Sequence, residues 1–321
     1  MATQIRDIAP FVGDQEHLRA SVRAAMAAGK LSQADVARES GVAYGTLTSW
    51  LGGTYSGRNE RVAAEVQVWL AAREEKKRAL AVAPEAPPYM QTPTAHAFVD
   101  ALLYAQIMPQ IVVIAGGAGI GKTTAALRYR ATSPNVWIAT VEPQLSGIFG
   151  ILTEIAGELG VDERVPARLG RAVGTRVKGV GGLLVIDEAQ HLKIPALEQL
   201  RSLHDKYGVG LALLGNEQVH ALFGGDKPRP GFAQLFSRVG SRITQARPCA
   251  ADIDILIDGW GVADAEEKKL LRAIARKPGA LRGLSQTMKF ASILAAGAGK
   301  RRDIRHIRAA WDRYDAGPIN E

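Results

Sequence analysis

The sequence predicts an α/β protein built on a parallel sheet, with helical regions before and after it in the chain. Three observations carry that prediction. Four short, almost wholly apolar runs, at 111–115, 136–141, 183–186 and 210–214, read as strands buried on both faces. Helix-compatible segments at 123–129, 146–159 and 196–206 separate them, the alternation a parallel sheet requires. A glycine-rich turn joins the first run to the first of these helices.

That turn reads Gly116-Gly117-Ala118-Gly119-Ile120-Gly121-Lys122-Thr123, followed by Thr124, and fits the phosphate-cradling spacing G-x-x-x-x-G-K-[ST]. Its glycines let successive backbone N–H groups turn inward around phosphate oxygens, helped by the N-terminal end of the next helix. Lys122 can reach the β- and γ-phosphates of a nucleoside triphosphate, and the Thr123 hydroxyl is placed to ligate Mg²⁺. The third apolar run ends in Asp187 and Glu188, two carboxylates at the carboxyl end of a buried strand, where ligands bind in open α/β sheets. Asp187 is expected to hold Mg²⁺ through water and Glu188 to polarise the attacking water as general base. A surface acidic pair is the blander reading, but these two stand about 65 residues after the glycine-rich turn. Asn216, after the fourth run, can orient the same water. Arg238 and Arg242 are four residues apart, on one face if helical, and either could reach a neighbouring subunit's γ-phosphate. Arg282, just after Pro278-Gly279, could sense nucleotide from a lid.

Upstream of the sheet, Ser32 and Asp35 form a variant capping box at the start of a helix that Gly41 stops near Ser40. A second helix is expected over 44–51. Ala37, Val42, Leu47 and Trp50 are spaced to face a core, which leaves Tyr44, Thr46, Thr48 and Ser49 near the side that reads base edges. This segment resembles the helix-turn-helix of phage repressors. Repeated prolines from Pro84 to Pro93 mark a semi-rigid linker. The expected organisation is a helix-turn-helix domain over 1–78, a linker over 79–93, the sheet domain over 94–250 and a basic helical lid over 251–321. Helices in the last part are expected at 264–275, 281–295 and 303–314.

The net charge of +8 and a pI near 9.6 favour an anionic partner. Two basic stretches qualify: Arg164, Arg168, Arg171, Arg176 and Lys178, and Lys300-Arg301-Arg302 continuing to Arg305 and Arg308. The single cysteine, Cys249, excludes an internal disulfide and a cysteine metal cluster. No run is long enough to span a bilayer, and residues 1–7 lack a signal-peptide pattern, so a cytoplasmic protein is expected.

Together these positions resemble an AAA+ ATPase. Lys122-Thr123 matches its Walker A motif, Asp187-Glu188 its Walker B motif and Asn216 its sensor-1 position; Arg238 stands near the arginine finger and Arg282 in a Gly-x-x-Arg sensor-2 motif. The whole layout resembles the MuB family of transposition proteins of Mu-like phages, with the TnsC, TniB and IstB families more distant. The resemblance implies ATP and Mg²⁺ as cofactors, and an ATPase that binds duplex DNA without sequence preference. It implies assembly into filaments or rings, delivery of target DNA to a DDE transposase, and a phage, prophage or mobile-element origin in a bacterial host. It also places the first basic stretch where related filaments put DNA-facing loops. Two alternatives stay open: a helicase-loader-type ATPase and an ATP-switched, sequence-specific regulator.

Overall fold

The computed structural model describes residues 14–82, 86–222 and 237–314, and the chain divides into two compact units, Met1–Pro84 and Glu85–Glu321. The first unit holds four helices: α1 (Gln15–Gly29), α2 (Gln33–Ser40), α3 (Tyr44–Leu51) and α4 (Asn59–Val82). The capping box forms as read, with Ser32 N donating to Asp35 Oδ2 at 3.0 Å and Asp35 N to Ser32 Oγ at 3.2 Å. Gly41 turns the chain at φ 77°, a left-handed conformation that suits glycine. Val22, Val36, Leu47, Trp50, Ala63 and Val66 are fully buried between the helices. Helix α4 continues to Val82, past the expected linker boundary at 79, because no proline interrupts it before Pro84. Residues 83–85 of that linker, like 1–13 and 315–321 of the outer domains, lie outside the described residues.

The second unit opens with α5 (Pro93–Ile107), in which Pro93 takes a first-turn position that needs no N–H donor. The sheet follows: β1 (Ile111–Gly116), β2 (Val136–Thr140), β3 (Leu183–Asp187), β4 (Gly210–Gly215) and β5 (Val239–Gln245). All are parallel, in the order β2-β3-β4-β1-β5. Helices α6 (Lys122–Thr132), α7 (Ile148–Leu159), α8 (Pro166–Val177), α9 (Ile194–Tyr207) and α10 (Glu217–Leu222) connect them. Alternate residues of each strand serve opposite cores. Val112, Ile114, Val185 and Leu214 pack on α5 and α6, whereas Ile111, Val113, Ile186 and Leu213 pack on α7, α8 and α9. Covering both faces removes the strands from water, which is why they read as unbroken apolar runs.

Two expectations are corrected here. Arg238 and Arg242 do not share a helix face, since residues 237–242 run from a turn into a strand. Arg238 lies in a turn, Arg242 lies in β5 opposite Val113, and Phe236 falls outside the described residues. The first basic stretch is not a loop but chiefly helix α8, anchored through Leu169, Val173 and Val177 at i, i+4 and i+8.

The C-terminal helices are α11 (Ala250–Gly259), α12 (Ala265–Ala275), α13 (Ala280–Gly297) and α14 (Ile304–Asp312). They enclose Ile257, Leu271, Ile274, Leu284, Met288 and Ile307. The boundary expected at 250 falls at the start of α11, where the two parts are tied together. Asp252 is fully buried and accepts from Thr94 N at 3.0 Å, Thr94 Oγ1 at 2.6 Å and Cys249 N at 2.8 Å. Burial alone would push its carboxyl upward, but the bonds from Thr94 and Cys249 outweigh that and hold it below the usual carboxylate range. Hydrogen bonds to a charged group contribute about 1.5–3 kcal/mol each, so this clamp fixes the α11 end against α5.

Candidate nucleotide site

The glycine-rich turn leaves the carboxyl end of β1, and α6 starts at Lys122. Strand β5 braces the turn, since Gly117 N donates to Gln245 O at 3.1 Å. Gly119 (φ 79°) faces the start of α13, and a Cβ there would stand 2.0 Å from Gly279 O. Only glycine permits that approach, which brings the turn and the C-terminal helices into direct contact. Arg282 N, one turn into α13, donates to Gly119 O at 3.3 Å.

Lys122 Nζ donates to Gly116 O at 2.8 Å and Gly117 O at 2.9 Å, folded over the turn that would hold phosphate. Burial pushes its ammonium below the ordinary lysine range; Asp187 and Glu188 oppose the shift and Arg282 adds to it. Thr123 Oγ1 donates to Asp187 Oδ2 at 2.6 Å. Asp187 is buried, and its other oxygen accepts from Glu188 N at 2.9 Å. Glu188 is exposed and takes a left-handed backbone (φ 55°, ψ 36°), turning the chain sharply as β3 ends.

Ala118, Gly119, Ile120, Gly121, Lys122, Thr123, Thr124, Glu188 and Arg282 line one cavity of about 460 Å³. Its other wall is apolar, formed by Pro87, Tyr89, Met90, Ala95, Leu256 and Leu281. One end is thus rich in N–H donors and cations and the other suits a flat aromatic ring, as a purine nucleotide requires. Sequence reasoning missed the apolar wall because it comes from the linker, the start of α5 and two C-terminal helices, and no spacing marks it.

The remaining predicted residues divide. Gly116 and Gly117 supply the carbonyls that hold Lys122, while Asp187 stands behind Thr123. Asn216 is next to the site but does not line the cavity; its Oδ1 accepts from Gln218 N at 2.9 Å. It is connected to Glu188 through Gln190, which the sequence did not single out as a site residue. Arg238 lies at the opposite end of the sheet, beside the β1–β5 pair at Ile111 and Val239. There it donates to Asp205 Oδ1 at 3.0 Å, a carboxylate shared with Arg201 at 2.6 Å. In its own chain it therefore cannot touch the nucleotide.

The predicted DNA residues also differ in setting. Tyr44 is 58% exposed and Thr48 is exposed, whereas Thr46 and Ser49 are half-buried on α3. Arg168, Arg171, Arg176 and Lys178 are all exposed along one groove at α8. Lys300 and Arg301 are exposed, but Arg302 is drawn inward, toward Trp260 O at 3.5 Å and close to Glu267. Among the described residues no helix is long and apolar enough to cross a membrane.

Comparison with known proteins agrees with this geometry. Residues 108–223 match the family described as AAA domain, and residues 237–313 the family described as Mu B transposition protein, C terminal. The ATP-dependent target DNA activator B of Escherichia phage Mu is 37% identical over 300 residues, 93% of this chain and 95% of that protein. The Mu-like prophage FluMu DNA transposition protein B of Haemophilus influenzae is 37% identical over 263 residues, 80% of this chain and 90% of that one. The solved structure of Drosophila ORC bound to DNA superposes with a TM-score of 0.52 at 15% identity, covering 76% of this chain and 66% of its own, a likeness of fold alone. With its nucleotide motifs assembled at one cavity and near-full-length relatives at this identity, the chain belongs to the Mu B transposition protein family and is an ATPase of the AAA class.

Proposed function

We propose that the protein uses ATP to bind and activate target DNA for transposition. The observation that carries this reading is the 37% identity, over nearly the full length of both chains, to the ATP-dependent target DNA activator B of phage Mu. The triphosphate occupies the turn 116–124, with its base against Tyr89, Met90 and Leu256. Thr123 and Asp187 offer Mg²⁺ two hard oxygen donors already within 2.6 Å of each other, a set that suits an ion keeping most of its sites for water and phosphate. When bound there, Mg²⁺ neutralises charge building on the β- and γ-phosphates. Glu188 takes the proton of the attacking water, Asn216 orients that water, and Arg282 couples the C-terminal helices to the nucleotide.

Arg238 acts on a neighbouring copy's γ-phosphate, since its own nucleotide is at the far end of the sheet. Such a contact in trans makes hydrolysis depend on self-association into a filament or ring. Duplex DNA lies along the α8 groove, held through phosphates and thus without sequence preference. Tyr44 and Thr48 of α3 add a second grip. The activated DNA is handed to a DDE transposase, and hydrolysis releases it.

The DNA path is tested by Arg168→Ala combined with Arg171→Ala. Each lost phosphate contact reduces the slope of log affinity against log salt by about 0.9, so this pair reduces it by about 2. Binding to random duplex weakens accordingly, while ATP hydrolysis without DNA and the unfolding temperature stay unchanged. An unaltered salt slope would remove α8 from the DNA path.

A further inference from the structure

The Glu188 side chain is held by Gln190, two residues on, which is itself anchored to the loop after the neighbouring strand. Gln190 lies in the short 3-10 turn after β3 (Ala189–His191), and its amide works in two directions. Its Nε2 donates to Glu188 Oε2, and its Oε1 accepts from Asn216 N at 3.2 Å, in the loop after β4. Strands β3 and β4 are adjacent, paired up to Ile186 with Leu213, so Gln190 bridges the loops at their carboxyl ends. From its position in the structure, we propose that Gln190 is a positioning residue that fixes the Glu188 carboxylate relative to Asn216, so that it can take the proton of the water that attacks ATP. This rests on the reading of Glu188 as general base.

Three features favour a built arrangement over a chance contact. The first is chemical direction. A carboxylate can only accept and a backbone N–H can only donate, so one orientation of one amide satisfies both. His191 Nε2, 3.5 Å from the same Nε2, is too distant to compete with the Glu188 bond. The second is space. A Cβ at position 215 would stand 2.3 Å from Gln190 Oε1 and 2.4 Å from Val219 Cγ2, so the bare end of β4 is what admits the amide. The third is conformation. Glu188 holds φ 55°, which non-glycine residues keep only where their surroundings determine it.

Gln190 does not line the nucleotide cavity and has no bond to the glycine-rich turn among those described. Its effect is therefore on the rate of hydrolysis and not on the affinity for ATP. A reacting group misplaced by about 1 Å can cost about 100-fold in rate.

The test compares Gln190→Glu and Gln190→Ala in the full chain, by steady-state hydrolysis, affinity for a non-hydrolysable ATP analogue, and thermal unfolding. Gln190→Glu keeps the length and the acceptor toward Asn216 but replaces the donor beside Glu188 with a carboxylate. Both variants are expected to lower kcat by about 10- to 100-fold, with KM and analogue affinity within about threefold and the unfolding temperature of Gln190→Glu unchanged. A kcat within about threefold of the parent in both, a kcat that rises, or a fall in analogue affinity matching the fall in kcat would overturn the proposal. Glu188→Gln measured alongside separates the two readings. If it hydrolyses ATP normally, the general-base assignment fails first; if it is inactive while both Gln190 variants are fully active, only the role of Gln190 fails.

Discussion

Glu188→Gln is expected to bind ATP normally and hydrolyse it at least about 100 times more slowly, because a positioned general base contributes about 10²–10⁴-fold. The substitution keeps size and shape but removes the group that accepts the proton. Glu188 stands at the cavity edge with its carboxylate bonded to Gln190 and not to the glycine-rich turn, so the phosphate cradle is left intact. Asp187 stays with Thr123, so the two oxygens proposed to hold Mg²⁺ are unchanged. The trapped ATP state should then hold DNA for longer than the parent does. Single-turnover hydrolysis with labelled ATP, run beside equilibrium binding, checks both halves. Hydrolysis within tenfold of the parent would place the base elsewhere.

Lys122→Ala is expected to abolish nucleotide binding at working concentrations, and ATP-dependent DNA assembly with it. The ammonium already sits over the turn, held by the carbonyls of Gly116 and Gly117, in surroundings that disfavour its charge. A triphosphate supplies the opposite charge at that place and offsets the cost of burying the ammonium. Removing one partner of such a desolvated pair costs about 2–5 kcal/mol, or about 30-fold to several thousand-fold in affinity. Titration with a fluorescent ATP analogue measures the loss. A variant that kept full ATP affinity would contradict the placement of phosphate in this turn.

How much of this was legible in the sequence depended on how local each signal was. The glycine-rich turn and Asp187-Glu188 are short strings at the ends of buried strands, and all of their chemistry lies within a few residues. The helices α2 and α3 were legible because Ser32, Asp35 and Gly41 fix their ends through local bonds. Strand β5 was not, because it is an edge strand with no apolar run: Ser241 and Arg242 are only partly buried and Thr244 is exposed. Helix α8 was hidden by its arginines, although Leu169, Val173 and Val177 carried the helical period. The salt bridge from Arg238 to Asp205 joins residues 33 apart, and the Gln190 bridge needs β3 beside β4. Such contacts are set by topology, and no spacing in the chain announces them.

On the proposed function, ATP licenses binding to duplex DNA regardless of its sequence. The most direct measurement is the affinity of the purified full chain for random-sequence duplex with ATP, with ADP and without nucleotide, across a salt series. Tight, cooperative binding is expected with ATP alone, weakening steeply as salt rises. Binding that ignores the nucleotide, or that appears only on one particular sequence, would contradict it.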